Sequence, residues 1–242
     1  MASKIRLYVD HPLAPGQTVP LTAEQAHYLF GVMRLAVGAV VALFNGRDGE
    51  CDASVVTAGK RGGVLRADVQ TLPLQLPPDL WLCFAPLKKA RTDFVVEKAV
   101  ELGVARIVPV QTDFTNAERL RGDKVRAHVI EAAEQCGATF VPDVAEVVKL
   151  SRLLDDWPAG RRIMFCDEGL RGRFSALTSD GAAAGPWAIL IGPEGGFSPT
   201  ERARLNGLDF AHPVSLGPRI LRADTAAVAA LTLWQMALGD WR

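Results

Sequence analysis

The strongest candidate for chemistry is a glycine-rich turn that follows a short apolar run. Residues 189–191 are Ile-Leu-Ile and residues 192–197 read GPEGGF. Ser198, Pro199 and Glu201 then have the spacing of a capping box, so a helix is predicted to begin there. Ligands of open α/β sheets bind at the carboxyl ends of strands, and glycines let a ligand approach the backbone closely. The pattern predicts a ligand-binding loop or a tight strand-to-helix turn, and the residues alone leave both open.

A second segment has the same order of strand, turn and helix. Residues 215–225 read SLGPRILRADT, which places Arg219, Arg222 and Asp224 beside an apolar helix. A half-buried arginine needs a carboxylate, a phosphate or a carbonyl as its partner. The two arginines are therefore either structural partners of acids such as Asp224 or groups that handle an anion.

Several other kinds of site are disfavoured by what the sequence lacks. No dinucleotide-binding GxGxxG motif, P-loop, GxSxG or HExxH occurs, and the four histidines are scattered. The four cysteines form no CxxC pair, so we expect reduced core thiols and no metal site; they are Cys51, Cys83, Cys136 and Cys166.

Composition indicates a globular protein with a neutral charge balance. Of the 242 residues 49% are hydrophobic and 22% charged, and 27 Lys and Arg balance 27 Asp and Glu. Bulk charge cannot hold a polyanion here, so any nucleic-acid surface must be a local patch. The apolar stretches are too short for a membrane span and the start lacks the pattern of a signal peptide, so we expect a cytoplasmic protein.

The chain is predicted to contain two domains of different class. Residues 73–79 form a proline-rich linker. Short β-rich runs with turn signals fill residues 1–72, which predicts a small β barrel or sheet. Apolar strands alternate with helices over residues 80–242, which predicts an α/β domain with a mostly parallel sheet.

The helix signals can be assigned to particular residues. Thr22 and Thr92 are candidate N-caps, and Gly103 and Gly137 are candidate helix stops. The last helix, roughly residues 224–238, has one apolar face and a second apolar side with Leu233 and Met236. A helix that is apolar on two sides suggests a contact between copies of the chain.

Taken together, the GPEGGF and LGPRILRADTA segments resemble the two signature segments of the bacterial 16S ribosomal RNA (uracil-N3)-methyltransferase family, a member of the SPOUT class. The resemblance extends to residues 97–104 (EKAVELGV), 132–137 (AAEQCG) and 141–142, and to Arg6-Leu7-Tyr8 and His27 with Val32-Met33-Arg34. It covers nearly the whole chain. Residues 111–115 (QTDFT) depart from the family pattern, so no role is carried over to them.

The resemblance implies a PUA-like RNA-binding barrel followed by a SPOUT-type knotted α/β domain, and an obligate homodimer. It implies S-adenosylmethionine as cofactor and methylation of uridine N3 in 16S ribosomal RNA, within the small subunit or its precursor. Arg222 would stabilise the developing uracil anion, and Glu194 or a water would accept the proton. The expected cofactor-binding residues are Leu190, Gly192, Gly195, Leu216, Gly217, Ile220, Leu221 and Thr225, with residues 165–168 completing the slot.

RNA contacts are expected from Arg6 and Arg34 in the barrel and from Lys88, Lys89 and Arg91 at the mouth of the sheet; each could equally be a solvated charge. Two other functions are alternatives. A non-catalytic RNA-binding module would not need two glycine-rich strand ends. A nucleotide- or NAD-dependent metabolic enzyme would leave the β-rich half unexplained.

Overall fold

A computed structural model describes residues 5–116, 120–170 and 185–241 and divides the chain into two compact units. Unit 1 comprises Met1–Leu76 and Ala133–Val141, and unit 2 comprises Pro77–Ala132 and Pro142–Arg242. The border after Leu76 falls inside the expected linker, residues 73–79. The expected block of residues 80–242 is interrupted, however, because Ala133–Val141 packs with unit 1.

Unit 1 is built on a five-stranded sheet with the strand order β1-β3-β4-β5-β2. Strands β1 and β3 are parallel, and the other neighbours are antiparallel. Its elements are β1 (Arg6–Tyr8), β2 (Thr18–Pro20), α1 (Ala23–Ala26), a π-helical turn (His27–Val32), β3 (Val40–Phe44), β4 (Glu50–Gly59) and β5 (Gly62–Leu72). The predicted cap is confirmed, since Thr22 accepts a hydrogen bond from the Gln25 N–H in a capping box.

Long-range hydrogen bonds explain why part of the α/β half belongs to unit 1. The Arg6 guanidinium donates to the backbone oxygens of Ala133, Glu134 and Ala138 at 2.6, 3.0 and 2.9 Å. Its Nε also donates to Glu50 at 2.7 Å. Such contacts between residues more than 120 positions apart have no signature in local sequence.

Unit 2 contains a seven-stranded sheet in which every described pairing is parallel. The order is β12-β10-β11-β6-β7-β8, and β9 also pairs with β7. The strands are β6 (Leu80–Phe84), β7 (Arg106–Gln111), β8 (Asp143–Val144), β9 (Val148–Lys149), β10 (Arg162–Cys166), β11 (Trp187–Ile191) and β12 (Ala211–Val214). The predicted mostly parallel sheet is confirmed.

Helices accompany this sheet, and local chemistry sets some of their ends. They are α2 (Lys89–Glu101), α3 (Gly122–Cys136), α4 (Leu150–Asp155), α5 (Pro199–Asn206) and α6 (Ala223–Leu238). Both predicted glycine stops are confirmed, because Gly103 and Gly137 have φ of +72° and +82°. No helix in the described part of the chain is long and apolar enough to cross a membrane.

One predicted cap is wrong. Helix α2 begins at Lys89 rather than after Thr92, and the side chain of its N-cap, Lys88, makes no capping bond. Thr92 lies inside the helix, buried, where its hydroxyl accepts from the Leu87 N–H and donates to the Leu87 oxygen, both at 2.9 Å. The threonine therefore links helix α2 to Leu87, in the segment that follows β6. The local sequence alone does not distinguish this role from capping.

The last helix has the two-sided character that its sequence predicts. Leu231, Trp234 and Leu238 of α6 are buried, and the helix packs against α2 and β11. Leu233 and Met236 on another side are 45% and 64% exposed. An apolar side chain that stays this exposed on a helix is available to another surface.

Candidate functional site

The site lies where three neighbouring parallel strands of unit 2 end together. In the register of the sheet, Phe165 of β10 pairs with Leu190 of β11 and with Pro213 of β12. The loops that leave these strands surround a cavity of about 610 Å³, counting its open mouth. Its position is the one expected of ligand sites in α/β sheets.

The loop after β11 forms one wall of the cavity. Its backbone turns at Gly196, where φ is +67°, a value that only glycine adopts freely. The next residue, Phe197, is buried and meets the Phe165 ring edge-to-face with a centroid separation of 5.8 Å. Helix α5 follows at once, with Ser198 as N-cap and Glu201 completing the predicted capping box. The glycine turn is thus held at both ends.

The loop after β12 forms the opposite wall. Leu216 and Leu221 line the cavity, and Gly217 adopts φ of +109° with no atom within 4 Å of where a Cβ would stand. Ala223 and Ala226 at the start of α6 complete this wall with small side chains. This wall is mostly aliphatic, and Ser215 and Arg219 are its polar lining residues.

The end of β10 brings acidic groups to the third side. Asp167 is 5% exposed and lies 3.3 Å from Arg202 Nε, and its Oδ1 accepts from the Gly169 N–H at 2.9 Å. Glu168 lies 3.7 Å from the same guanidinium. Both carboxylates line the cavity, as expected for residues 165–168, whereas Phe165 does not line it.

Cys166 also lines the cavity but is poorly suited to act as a nucleophile. Burial raises the pKa of its thiol to about 12, so the thiol stays neutral at physiological pH. No group of His, Cys, Asp or Glu side chains that could hold a metal is found among residues 5–116, 120–170 and 185–241.

These walls suit a ligand with an apolar planar part and a positive charge. Glycine backbone and aliphatic side chains supply a slot, while Asp167, Glu168 and Glu194 supply negative charge. S-adenosylmethionine has both features, in its adenine ring and in its sulfonium and ammonium groups. The residues present therefore fit this cofactor.

The expected cofactor residues divide into two groups. Those that line the cavity are Gly192, Leu216, Gly217, Ile220 and Leu221. Leu190, Gly195 and Thr225 lie outside the lining. Leu190 is packed in the strand core, and a Cβ on Gly195 would stand 3.4 Å from the Phe114 side chain rather than in the cavity.

Glu194 and Arg91, which were expected in different roles, form an ion pair. Arg91 Nη1 lies 3.2 Å from the Glu194 carboxylate, and its Nε lies 3.8 Å from Asp224. Arg91 therefore links the loop after β11 to the first turn of α6. Asp224, the acid that could have paired with Arg222, has Arg91 as its ionic partner.

Arg222 is the N-cap residue of α6, and its side chain is exposed. It makes no side-chain hydrogen bond or ion pair within the described ranges. Its neighbours Leu221 and Ala223 line the cavity, whereas Arg222 itself does not, and Arg219 does. Sequence reasoning singled out Arg219 as an anion-handling candidate without placing it in the site.

The lining residues that the sequence did not lead us to expect include Gly196, Phe197 and Ala226. Gly196 and Phe197 lie in the GPEGGF segment, but the sequence does not tell which of two adjacent glycines turns with positive φ. Ala226 lies one turn into α6, and its small size at a helix start next to the LGPRIL loop was the available signal.

The expected RNA-binding residues differ in the exposure of their side chains and in the partners that these side chains already have. Arg34 is exposed and has φ of +55°, and Lys88 is exposed at the start of α2. Arg91 is held by the two carboxylates described above. Four N–H groups of Arg6 are occupied within unit 1 and its side chain is 14% exposed, so RNA contact by Arg6 remains a prediction without support from its geometry.

Family models match both halves of the chain. Residues 74–235 match an RNA methyltransferase domain, and residues 21–67 match an RNA methyltransferase PUA domain. Curated relatives named ribosomal RNA small subunit methyltransferase E are similar to this chain, several of them along nearly their whole length. The Rickettsia conorii protein is 28% identical, covering 93% of both chains, and that of Mycobacterium bovis is 30% identical, covering 97% of this chain and 92% of its own.

Solved structures agree with these matches. A ribosomal RNA small subunit methyltransferase E from Neisseria gonorrhoeae bound to S-adenosyl methionine superimposes with a TM-score of 0.87 at 27% identity, covering 99% of this chain and all of that one. A putative methyltransferase from Legionella pneumophila in complex with the same cofactor gives 0.84 at 30% identity with the same coverage. The predicted fold class, a PUA-like β domain followed by a SPOUT-type α/β domain, is confirmed.

Proposed function

The chain belongs to the RNA methyltransferase family whose methyltransferase and PUA domains it matches, and from this we propose that it methylates N3 of a uridine in 16S ribosomal RNA with S-adenosylmethionine. The observation that carries the proposal is the cavity at the ends of β10, β11 and β12, with two glycine-turned walls and an acidic third side. The cofactor-bound state of two similar structures and the names of the relatives support it.

The chain's own residues would bind and orient the reactants. The backbone at Gly192 and Gly217 and the side chains of Leu216 and Leu221 would hold the adenosyl group. A Cβ at Gly192 would stand 3.2 Å from the Phe197 ring, and one at Gly217 would be strained by the φ of +109°. Asp167 and Glu168 would face the positively charged end of the ligand. S-adenosylmethionine supplies the methyl group, which needs an in-line nucleophile and no metal.

The uridine must lose its N3 proton as its new bond forms. Arg222 is a permanent cation whose planar group can donate two hydrogen bonds, so we assign it to the carbonyl oxygen on which negative charge develops. Glu194 lines the cavity and is the carboxylate that we assign to accept the proton, directly or through water. Its ion pair with Arg91 would then orient it.

RNA would be held by Arg34 in unit 1 and by Lys88 in unit 2. Arg91 would also contact RNA through the exposed part of its side chain, while its ion pair orients Glu194. Since the PUA domain match names a domain of RNA methyltransferases, unit 1 is the part that we expect to bind RNA outside the methylated nucleotide.

We further propose a homodimer that buries the exposed side of α6, with Leu233 and Met236 at the contact. The substrate would be 16S ribosomal RNA in the small subunit or its precursor. The protein would then act in the bacterial cytoplasm, where small subunits are assembled.

The test has a binding arm and a chemical arm. Titration calorimetry with S-adenosylmethionine should give a single saturable site, with NAD as the control ligand. Purified protein should then transfer a labelled methyl group to small ribosomal subunits that carry unmodified 16S ribosomal RNA, and mass spectrometry of the digested RNA should find 3-methyluridine. Cofactor binding without any methylated nucleoside would contradict the assigned reaction, and NAD binding would favour the metabolic alternative.

A further inference from the structure

Unit 2 has a second recess, separate from the cavity described above. It encloses about 1160 Å³, counting its open mouth, and its lining includes residues that follow the ends of β6 and β7. Its charged lining side chains are Lys88, Lys89, Arg121, Lys124 and Asp93. Among the residues that the structure describes, four cations and one carboxylate are thus gathered here, in a chain whose formal charge is zero.

Two of these four cations are paired with carboxylates, and two have no partner among the described residues. Lys89 Nζ lies 2.7 Å from Asp93, and Arg121 lies 2.7 Å from Asp123. The side chains of Lys88 and Lys124 have no hydrogen bond or ion pair with any described residue. The recess therefore offers two unpaired ammonium groups to an anion, with two paired cations beside them.

The sheet places this recess beside the cavity. Strand β6 is the parallel neighbour of β11, with Phe84 paired to Ile191, and the Ala85 N–H donates to the Ile191 oxygen at 3.0 Å. The loops after β6 and β11 therefore leave the same edge of the sheet side by side. The Arg91–Glu194 ion pair joins the first turn of α2 to the cavity wall.

The chemistry of the lining favours the phosphate backbone of a nucleic acid over a small molecule as the ligand. Small-ligand sites fix their ligand with precisely placed polar groups in an enclosed space. Here the free cations are exposed lysines, which act as mobile point charges and suit phosphates without reading a base. A strand of RNA presents such phosphates at regular intervals.

We propose that this recess binds the phosphodiester backbone of the substrate RNA next to the nucleotide whose base enters the cavity. The inference rests on the proposed function, which it deepens by assigning Lys88 and Lys124 to one phosphate-binding surface. The base would be read at the cavity, while the recess would position the strand.

The experiment compares the unaltered protein with a Lys88→Gln/Lys124→Gln double variant. Binding of a fluorescent, uridine-containing single-stranded RNA of 16S sequence is measured by anisotropy at several salt concentrations. Loss of two phosphate contacts should reduce the slope of log K against log [salt] by about 1.4, because each contact to a single strand contributes about 0.7. Arg152→Gln removes an exposed charge of α4 that lies outside the recess and is the control.

The affinity for S-adenosylmethionine should be the same in all three proteins, since neither lysine lines the cavity. An unchanged salt slope in the double variant would overturn the proposal, and so would an equal reduction in Arg152→Gln. Methyl transfer by the unaltered protein is measured separately. Its absence would contradict the proposed function, while the salt slope would still test the recess.

Discussion

Asp113 and Ser198 are 85 positions apart in the sequence, yet their side chains are hydrogen-bonded, with the Ser198 hydroxyl donating to the Asp113 carboxylate. The backbone N–H of Asp113 also donates to Glu201 at 2.9 Å, and Glu201 accepts from the Ser198 N–H at the same distance. The segment 111–115, to which the family resemblance assigns no role, thereby holds the start of α5 and the glycine turn before it.

Replacing Asp113 should loosen that turn. Asp113→Ala removes the acceptor of the Ser198 hydroxyl, and one such hydrogen bond contributes about 1 kcal/mol to stability. We expect a lower melting temperature and a weaker S-adenosylmethionine affinity, measured by thermal unfolding and calorimetry. Asp209→Ala, at an exposed turn, is the control. Equal cofactor affinity in both variants would limit Asp113 to a role in stability.

The two adjacent glycines of the GPEGGF segment should respond differently to substitution. An alanine at 196 would have a strained φ, costing ~1–2 kcal/mol, and its Cβ would stand 2.0 Å from Glu168 Oε1. An alanine at 195 would meet Phe114 at an ordinary 3.4 Å. Calorimetry should therefore find S-adenosylmethionine affinity reduced by about tenfold or more in Gly196→Ala, which corresponds to about 1.4 kcal/mol, and nearly unchanged in Gly195→Ala. The reverse order would show that Gly195 is the cofactor-binding glycine.

Arg222→Lys separates a catalytic from a structural role. The substitution keeps the charge but loses the planar donor pair, and loss of one such donor costs about 10²–10³ in rate. Single-turnover methylation should fall by about that factor. Because Asp224 pairs with Arg91 rather than with Arg222, the melting temperature should hardly change. A near-normal rate with a lowered melting temperature would instead make Arg222 part of the scaffold.

The dimer is tested on the exposed side of α6. A Leu233→Glu/Met236→Glu double variant would bury two carboxylates in the proposed contact, so we expect it to sediment as a monomer at micromolar concentration. Val147→Glu, a similarly exposed apolar position in unit 2, should leave the mass unchanged. If the unaltered protein sediments as particles of 26.0 kDa, the proposed interface is wrong.

Local sequence was sufficient to predict those structural features that depend on interactions between neighbouring residues. Ser198 and Glu201 begin α5, and Gly137 ends α3, because a cap or a positive φ involves only a few consecutive residues. The alternation of apolar runs and helices likewise predicted the parallel sheet. Thr92 shows the limit of this reasoning, since a buried threonine that bonds to Leu87 has the same local pattern as a cap.

The composition of the site depended on contacts that no local pattern encodes. Strand order brings the ends of β10, β11 and β12 together, and strand order follows from how apolar faces pack over the whole domain. The pairing of Arg91 with Glu194, 103 positions away, converted two separately predicted residues into one ion pair. Likewise, nothing in the sequence excluded contact between Arg6 and RNA. Only the folded chain brings the carbonyl oxygens of Ala133 and Ala138 to its guanidinium, because a half-buried cation needs acceptors that the fold supplies.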